Sequence, residues 1–495
     1  MTDRSDFARR GMEAGPRADR LEALLASGGD ERIALDPANG LNRYGCAARP
    51  APEECAFSSS TASTISAGAF AAAARLDRLM SAGGARAADM DRVRQTLTAL
   101  CGLPPAQAQD LILAPSGTDL HLIVADLARG GSLRPLTTVM ADPAESGRGV
   151  PLALSGRRFG ASLPHGGGAV AGAQLPDLPP GALVTVRVRD DDGAARPAET
   201  VDAEVEAACA RAIRGGGPVL LAVLDVSKTG LSVPSLACAA RLKAAHGETL
   251  TVLVDACQFR LSGQSVARRL NEGFLVAVTG SKFYGGPAFC GALFVPASCA
   301  EQLRAQPLSR ALCDYSARAD WPAGYAARSL LSDAPNLGLL LRWEAALHEM
   351  WAFHALPMTE VAGFVAEFAA AMAAHLASCP QLEPIAAPRS SQAGRGWDSV
   401  PTIFPFLVRG PAGVLGSAAV QTLYEQLRAR PSDPVRLGQP VAIGRREGGP
   451  LSALRLSLGA RDVVEALSRP DGREAVAARA RRALAMTAQA ARAAG

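Results

Sequence analysis

Several features that mark other classes of protein are scarce in this sequence of 495 residues. Aromatic residues make up only 5% of it, and the 51 Lys and Arg side chains nearly match the 47 Asp and Glu side chains. A charge so close to balance gives no reason to expect nucleic acid as a partner. No apolar run approaches the roughly 18 residues that a membrane-spanning helix requires, so no membrane partner is expected either.

The ten cysteines lack the spacing of a metal site, because none of them forms a Cys-x-x-Cys pair. Structural zinc sites need ligand pairs that lie closer together than these, so no metal is expected. The N-terminal residues, MTDRSDFARRGMEAGPRADR, alternate in charge and lack the apolar centre of a secretory signal. These features predict a cytoplasmic protein with reduced thiols.

What is present, in residues 249–296, is a set of short apolar runs of the kind that form buried strands in an α/β sheet. The runs are 250–254, 274–278 and 291–295. Polar residues follow the first two of them: Asp255, Gln258, Thr279, Ser281 and Lys282. Because ligands bind at the carboxyl ends of the strands in open α/β sheets, these side chains are predicted to line one crevice.

This set of side chains suits pyridoxal phosphate. A partly desolvated lysine can lose its proton and form a Schiff base with an aldehyde. A carboxylate beside the pyridine nitrogen keeps the ring protonated, which makes it an electron sink. Hydroxyls just before the lysine can donate hydrogen bonds to the phosphate. Each residue alone would pass for a solvated side chain, but together they predict a cofactor site.

The same residues carry a resemblance to a known family. DACQ, followed by TGSKFYGG, resembles the DxxQ and SxHKxxG segments of the fold type I, class V aminotransferase and cysteine desulfurase superfamily. The resemblance implies that Asp255 pairs with the ring nitrogen, that Gln258 contacts the ring hydroxyl and that Lys282 forms the Schiff base. It implies that Thr279 and Ser281 bind phosphate, although desulfurases usually have histidine where Ser281 stands.

A second phosphate-binding element is predicted at residues 115–118. A strand over 111–114 is followed by Pro-Ser-Gly and then by a helix, and the free amides at the start of a helix bind phosphate. The family places the cofactor phosphate on this turn. Ser116, Gly117 and Thr118 are therefore further candidates for cofactor binding.

Two positions depart from the family pattern. Where desulfurases carry a histidine that stacks on the pyridine ring, this chain has Glu145 or Ser146. The ring would then be covered by aliphatic atoms or by a residue from elsewhere, such as His165. Ser227 takes the place of a family asparagine near the ring. Its neighbour Lys228 is the only rival to Lys282 for the Schiff base, but it lacks the Gly pair and the Asp-x-x-Gln strand.

Candidates for substrate binding come from both ends of the chain. LRLSLG resembles the family's R-x-S-x-G, whose arginine binds the substrate carboxylate, and Arg455 is the matching residue. The planar guanidinium suits this role because it binds a carboxylate through two hydrogen bonds. In the family the loop equivalent to 40–66 passes close to the active site, which makes Arg43 and Tyr44 further candidates.

The predicted fold class is α/β, of the fold type I pyridoxal-phosphate transferases. The large domain would hold a mainly parallel seven-stranded sheet, and a smaller α+β domain would follow at the C-terminus. The predicted division is an N-terminal helical segment (1–35), the large cofactor domain (36–335), and a bridging helix with the small domain (336–495). The resemblance also implies a homodimer.

The sequence therefore predicts a pyridoxal-phosphate-dependent enzyme that acts on a small α-amino acid, with aminotransfer as the leading reaction. The alternatives are a lyase or desulfurase that acts at Cβ, a non-catalytic cofactor-binding protein, and an NAD-dependent enzyme that rests only on the glycine-rich residues 165–172. Persulfide chemistry is not expected, because residues 381–454 contain no cysteine. Cys313 and Cys379 are the remaining candidates for such a thiol.

Overall fold

The computed structural model describes residues 16–51, 54–82, 86–132, 134–387, 396–446 and 449–493. The strands are β1 (Cys55–Phe57), β2 (Leu111–Ala114), β3 (Thr137–Ala141), β4 (Ala182–Val186), β5 (Val219–Leu224), β6 (Leu250–Ala256), β7 (Leu275–Thr279), β8 (Gly291–Phe294), β9 (Leu382–Pro384), β10 (Ile403–Gly410), β11 (Gly413–Val414), β12 (Val435–Arg446) and β13 (Gly449–Ser457). They form two separate sheets.

The helices lie on these sheets and connect their strands. They are α1 (Pro16–Leu25), α2 (Ala67–Ser81), α3 (Arg86–Leu100), α4 (Gly117–Arg129), α5 (Val150–Leu154), α6 (Ala198–Arg214), α7 (Leu236–His246), α8 (Gly263–Asn271), α9 (Ala297–Ala305), α10 (Leu337–His354), α11 (Met358–Ser378), α12 (Ser417–Arg428), α13 (Ala460–Leu467) and α14 (Gly472–Ala493). Strands and helices alternate from β2 to β7, as expected of an α/β protein.

The larger sheet has seven strands in the order β2-β8-β7-β6-β5-β3-β4. Strands β3 to β7 pair in parallel, and β8 runs antiparallel to both of its neighbours. The central strands β5, β6 and β7 are almost fully buried, which accounts for their continuous Val- and Leu-rich sequences. The prediction of an α/β fold with a mainly parallel seven-stranded sheet is confirmed.

The smaller sheet has the order β1-β12-β13-β10-β11, with β9 paired to β10. Its strand β1 precedes the whole larger sheet in the chain, yet it pairs in parallel with β12. The N-terminal loop is therefore tied to the C-terminal sheet, and this pairing brings residues 58–61 towards the large sheet. The division into domains stays a prediction.

Helix α10, predicted as the bridging helix, packs against the loop that carries Lys282. A Cβ atom at Gly286 would lie only 2.6 Å from the Cβ of Ala346 on α10. Gly285, just before it, has a φ of 76°, which side-chain-bearing residues rarely adopt. Both glycines after Lys282 therefore have a structural reason: they let the loop turn closely against a buried helix.

Within the part of the chain that the structure describes, one helix, α11, is long and apolar enough to cross a membrane by length and composition alone. Such a helix is weak evidence of a membrane span, because the core helix of a globular protein passes the same test. Of its most apolar window, 33% is buried. Its buried residues, which include Phe364 and Phe368, pack into the main hydrophobic core.

Candidate active site

A cavity of about 530 Å³ lies between the carboxyl edge of the large sheet and strands β12 and β13 of the small sheet. The ends of β2, β6 and β7 line one side of it. The small sheet contributes Gln439 and Arg455 on the other side. The crevice predicted from the strand ends is therefore present, and part of its wall comes from the C-terminal sheet.

Most of the candidate residues line this cavity. They are Arg43, Tyr44, Ser116, Gly117, Thr118, Asp255, Gln258, Thr279, Ser281, Lys282 and Arg455. Ser227 lies outside the lining, and its hydroxyl donates a hydrogen bond to the Glu145 carboxylate (2.7 Å). His165 also lies outside it, on an exposed loop, whereas the rival lysine, Lys228, lines it. The structure thus gathers residues that are up to four hundred positions apart in the chain.

Lys282 follows strand β7 and lines this cavity. Burial lowers the pKa of its ammonium group below the ordinary value. Arg455 and Arg260 lower this pKa further, while Cys257 and Asp255 act against the shift. A lysine whose proton is held less tightly than usual is suited to act as a nucleophile or base.

Asp255, at the end of β6, is paired with His121, a residue that the sequence reading missed. His121 Nε2 lies 3.1 Å from Asp255 Oδ2, and its Nδ1 donates to the carbonyl oxygen of Gly117 at 2.6 Å. Burial by itself raises the pKa of Asp255, but His121 and the amide of Cys257 more than offset it, so the pKa lies below its ordinary value. Asp255 is therefore a buried carboxylate that stays ionised.

Cys257 is the only cysteine among the described residues that line the cavity. A Cβ atom at Gly117 would lie only 2.7 Å from Cys257 Sγ, so glycine is required where helix α4 meets the end of β6. Burial raises the pKa of the Cys257 thiol well above its ordinary value, and Asp255 adds to the shift. The thiol therefore stays protonated near neutral pH and is a poor nucleophile.

The turn before α4 is built as an anion site. Ser116 caps the helix: its Oγ accepts hydrogen bonds from the amides of Thr118 and Asp119, at 3.2 and 3.3 Å. It also donates to the carboxylate of Asp119. Burial raises the pKa of Asp119 to about 7, with Asp30 adding to the shift. A carboxyl that is partly protonated at neutral pH opposes a bound anion less than a full negative charge would.

Arg32, from the segment after α1, also reaches this turn and was missed by the sequence reading. Its guanidinium donates to Thr118 Oγ1 at 3.1 Å and lies 3.4 Å from Ser116 Oγ. An ion pair with Asp30, at 2.6 Å, holds it in place, and it lies over the ring of Phe289, 4.8 Å from the centroid. The anion site at the start of α4 therefore has a positive charge from the N-terminal segment.

Gln258 and Thr279 line the same cavity as Lys282. The side-chain amide of Gln258 donates to the carbonyl oxygen of Ser60 at 3.0 Å. Its Oε1 is buried and has no hydrogen-bond partner among the described residues. Thr279 Oγ1 donates to the carbonyl oxygen of Cys257 at 2.6 Å. A buried acceptor without a partner costs free energy, so Oε1 is positioned for a ligand donor.

Glu145, aligned with the family's stacking histidine, is held in a buried network. Its carboxylate accepts from Arg189 Nε at 2.7 Å and from the hydroxyls of Ser227 and Thr229, each at 2.7 Å. Neither Glu145 nor Ser146 offers an aromatic face to the cavity. Ser227 therefore acts on the cavity only through Glu145.

Arg455 is 1% exposed and lines the cavity from strand β13. Its guanidinium donates to the carbonyl oxygens of Lys228 and Gln439 and to Thr61 Oγ1, while its Nε has no partner among the described residues. None of these partners carries a negative charge. Burial consequently lowers the pKa of Arg455 to about 10. A buried guanidinium without a counter-ion is suited to bind an anionic ligand.

His121 and Arg32, which the sequence did not single out, differ in how far the sequence could have indicated them. His121 lies within DLHLIVADL, where apolar residues surround it on a helix, and a buried histidine in such a setting needs a polar partner. That signal was available. Arg32 lies in DERIALD, which has no motif, so only the path of the chain reveals its place.

No protein-family model matches the chain, and no curated protein sequence matches it. Solved structures do. A NifS-like protein superposes with a TM-score of 0.53 at 13% identity, covering 87% of this chain and 99% of its own. The cysteine desulfurase CsdA from Escherichia coli gives 0.52 at 15% identity, over 88% of this chain and 95% of its own.

A third structure is the cystine C-S lyase C-DES in complex with cysteine persulfide. It gives a TM-score of 0.51 at 16% identity, covering 87% of this chain and 98% of its own. At sequence identities this low, the superpositions show a shared fold and nothing further. The fold that the sequence motifs implied, that of the cysteine desulfurases and their relatives, is therefore confirmed over most of the chain.

Proposed function

We propose that this chain is a pyridoxal-phosphate-dependent enzyme that acts on a small α-amino acid, with aminotransfer as its leading reaction. One observation carries the proposal: the Lys282 amine, its pKa lowered by burial, lines the same cavity as the buried Asp255–His121 pair. A non-catalytic protein would have no need to keep both groups buried. The fold shared with pyridoxal-phosphate enzymes supports the proposal.

The residues present fit the cofactor. The start of α4, with Arg32 beside it, would hold the phosphate, and Thr279 and Ser281 lie at and just after the end of β7. The unpartnered Oε1 of Gln258 would accept a hydrogen bond from the ring hydroxyl. Asp255 would face the pyridine nitrogen, because its contacts with His121 and the amide of Cys257 keep it ionised in spite of its burial.

When bound, pyridoxal phosphate supplies an electron sink for negative charge at Cα of the amino acid. Lys282 would hold the cofactor through its amine. When not engaged with the cofactor, Nζ would take the proton from Cα of the substrate and pass it on, which requires a neutral amine near working pH. Asp255 keeps its charge through its contact with His121, and Arg455 orients the substrate by its carboxylate.

The test of this proposal is to locate the cofactor. Borohydride reduction of the protein incubated with pyridoxal phosphate, followed by peptide mapping, is expected to place the pyridoxyl group on Lys282. Lys228 is a real competitor, since burial and the charges of Arg455 and Lys282 lower its pKa to about 7. An adduct on Lys228 in place of Lys282, or no adduct at all, would contradict the proposal.

Arg32→Gln is expected to weaken the affinity for pyridoxal phosphate by about ten- to a hundredfold, since a hydrogen bond to a charged group contributes roughly 1.5–3 kcal/mol. Equilibrium dialysis of the apoprotein measures this without any assay of turnover. Arg310→Gln, an exposed change outside the cavity, serves as the control. Unchanged cofactor affinity in Arg32→Gln would remove Arg32 from the phosphate site.

The second candidate function is a lyase or desulfurase that acts at Cβ, and the names of the superposed desulfurase and C-S lyase structures favour it. Three cysteines are relevant to it. Cys313 and Cys379 do not line the cavity, and Cys257 lines it with a protonated thiol. A persulfide route needs a thiolate within reach of the substrate, whereas two of these thiols lie outside the cavity and the third is protonated.

We therefore expect L-cysteine with a reductant to give alanine and sulfide far more slowly than amino groups are transferred. Both products are measured over the first turnovers, in the native protein and in Cys257→Ser, Cys313→Ser and Cys379→Ser. If the native protein releases alanine rapidly and one of these substitutions abolishes the release, a desulfurase becomes the better-supported function than an aminotransferase. The substitutions themselves are expected to leave aminotransfer within about a factor of two, because none removes a charge.

The assembly and the compartment are also part of the proposal. A homodimer and a cytoplasmic location are the expectations that the shared fold and the balanced charge support. Sedimentation at several protein concentrations tests the first of them.

A further inference from the structure

One wall of the cavity carries more positive charge than the proposed cofactor and a substrate carboxylate would use. Three cations succeed one another along it. Arg455 donates to the carbonyl oxygen of Lys228 at 3.1 Å, and Lys228 Nζ donates to the carbonyl oxygen of Ala144 at 3.3 Å. Arg148 lies on the same loop as Ala144 and lines the cavity. The three side chains will be called the cationic wall.

The carboxylates that line the cavity form no ion pair with this wall, and the charge of Glu145 offsets the lowered pKa values of Lys228 and Arg455 only in part. Glu145 is engaged by Arg189 and Thr229, and Asp255 is paired with His121. The third, Glu31, accepts from the amides of residues 161 and 162. Within the described ranges, none of the three cations of the wall forms an ion pair with a carboxylate. The charge is therefore available for a ligand.

Lys228 shows the strain of this arrangement. Its side chain is half-buried, and its only hydrogen bond among the described residues goes to a neutral carbonyl oxygen. Burial, together with the charges of Arg455 and Lys282, lowers its pKa to about 7. An anion placed against Nζ would relieve both the desolvation and the repulsion. Arg148, by contrast, is exposed and free to follow the ligand.

The proposed function assigns the other cations. Arg32 belongs to the phosphate turn, and Lys282 to the reacting amine. Arg455, buried and rigidly held, suits the α-carboxylate. Lys228, Arg148 and the exposed Arg43 then remain for the side chain of the substrate, which distinguishes one amino acid from another, and of these Lys228 and Arg148 belong to the cationic wall.

We propose that Lys228 and Arg148 form a subsite for an anionic group on the substrate side chain, so that the preferred substrates are dianionic amino acids such as dicarboxylic or phosphorylated ones. This inference rests on the proposed function, which makes the substrate an amino acid. The subsite itself rests on the charges of Lys228 and Arg148 and on their position in the cavity. Two cations on one side of the cavity discriminate strongly, because an uncharged side chain would leave the half-buried Lys228 without an anionic partner.

The first experiment measures binding without reaction. Glutarate and glutaramate have nearly the same shape but differ by one negative charge, and neither carries an amine. Calorimetric titration of the cofactor-loaded protein is expected to show glutarate bound about ten- to a hundredfold more tightly, as one charged hydrogen bond implies. Phosphoglycolate against glycolate forms the second pair, and a larger ratio there would assign the subsite to phosphorylated substrates.

Variants then assign the preference to residues. Lys228→Gln and Arg148→Gln are each expected to reduce the glutarate-to-glutaramate ratio about tenfold while leaving the affinity for glutaramate unchanged. Arg430→Gln, an exposed change outside the cavity, removes the same charge and is expected to leave the ratio as it is. Because Arg148 is exposed, its variant is expected to fold even if the half-buried Lys228 does not tolerate replacement.

Equal affinity for both members of each pair, or ratios that neither Lys228→Gln nor Arg148→Gln alters, would overturn the subsite. The mapping of the pyridoxyl adduct separates this failure from a failure of the proposed function. An adduct on Lys282 without a charge preference overturns the subsite alone. A charge preference that depends on Lys228 in a protein that forms no adduct supports the subsite and overturns the proposed enzyme.

Discussion

Asp255→Ala is expected to lower kcat for aminotransfer by about a hundred- to a thousandfold, the range seen when one preorganised electrostatic contact is removed from an active site. The carboxylate is buried, ionised and held by His121. Without it, nothing on this wall of the cavity stabilises a protonated pyridine ring, and the electron sink is lost. Cofactor bound to Lys282 should persist, so kcat should fall while the absorption of the bound cofactor remains.

The controls for this result are Asp255→Asn and His121→Gln. The amide keeps the shape of Asp255 but not its charge, so Asp255→Asn is expected to be nearly as impaired as Asp255→Ala. His121→Gln leaves a buried carboxylate with a weaker partner, so the pKa of Asp255 should rise and kcat should fall by a smaller factor. Near-native kcat in either Asp255 variant would exclude it as the partner of the ring nitrogen.

Arg455→Ala is expected to reduce kcat/KM by roughly ten- to a hundredfold or more, because the substrate carboxylate would lose a charged hydrogen bond of about 1.5–3 kcal/mol. The guanidinium has three neutral hydrogen-bond partners and no counter-ion among the described residues, so an anion is the partner it lacks. Steady-state kinetics with one amino-acid substrate measures the change, and cofactor content should not alter.

Arg455 also joins β13 to the loop after β1 through Thr61, so its loss could unfold the small sheet. Arg455→Lys keeps the charge and therefore serves as the second variant, with an intermediate kcat/KM expected because the planar fork is lost. Thermal melting of both variants separates the two roles. Native kcat/KM in Arg455→Ala, or loss of cofactor with no change in kcat/KM per bound cofactor, would contradict carboxylate binding.

Local sequence was sufficient for the elements of the large sheet. Strand β2 was predicted at its observed bounds, and β6, β7 and β8 differ from their predicted ranges by one or two residues at an end. These strands are buried on both faces, so the whole segment is apolar and its polar limits are sharp. Ser66 caps α2, where its hydroxyl oxygen accepts from the amide of Ala69 at 3.1 Å.

The polar residues at the strand ends could also be found from the sequence, because each candidate on β6 and β7 directly follows an apolar run. Ser227 illustrates the limit of this reasoning. Its place in the chain is right for a residue near the cofactor, but its hydroxyl is turned to Glu145. The direction of a side chain depends on the hydrogen bonds that surround it, and these come from segments that sequence order does not relate.

The sequence by itself determined the α/β class, the positions of the buried strands along the chain, and the lysine, aspartate and hydroxyls at their carboxyl ends. It could do so because apolar periodicity and strand-end chemistry are local properties of the chain. Tertiary structure alone decided that Arg32 reaches the start of α4, that His121 pairs with Asp255, and that Lys228 and Arg148 share one wall with Arg455. Those contacts join distant segments through long-range packing, which no local pattern records.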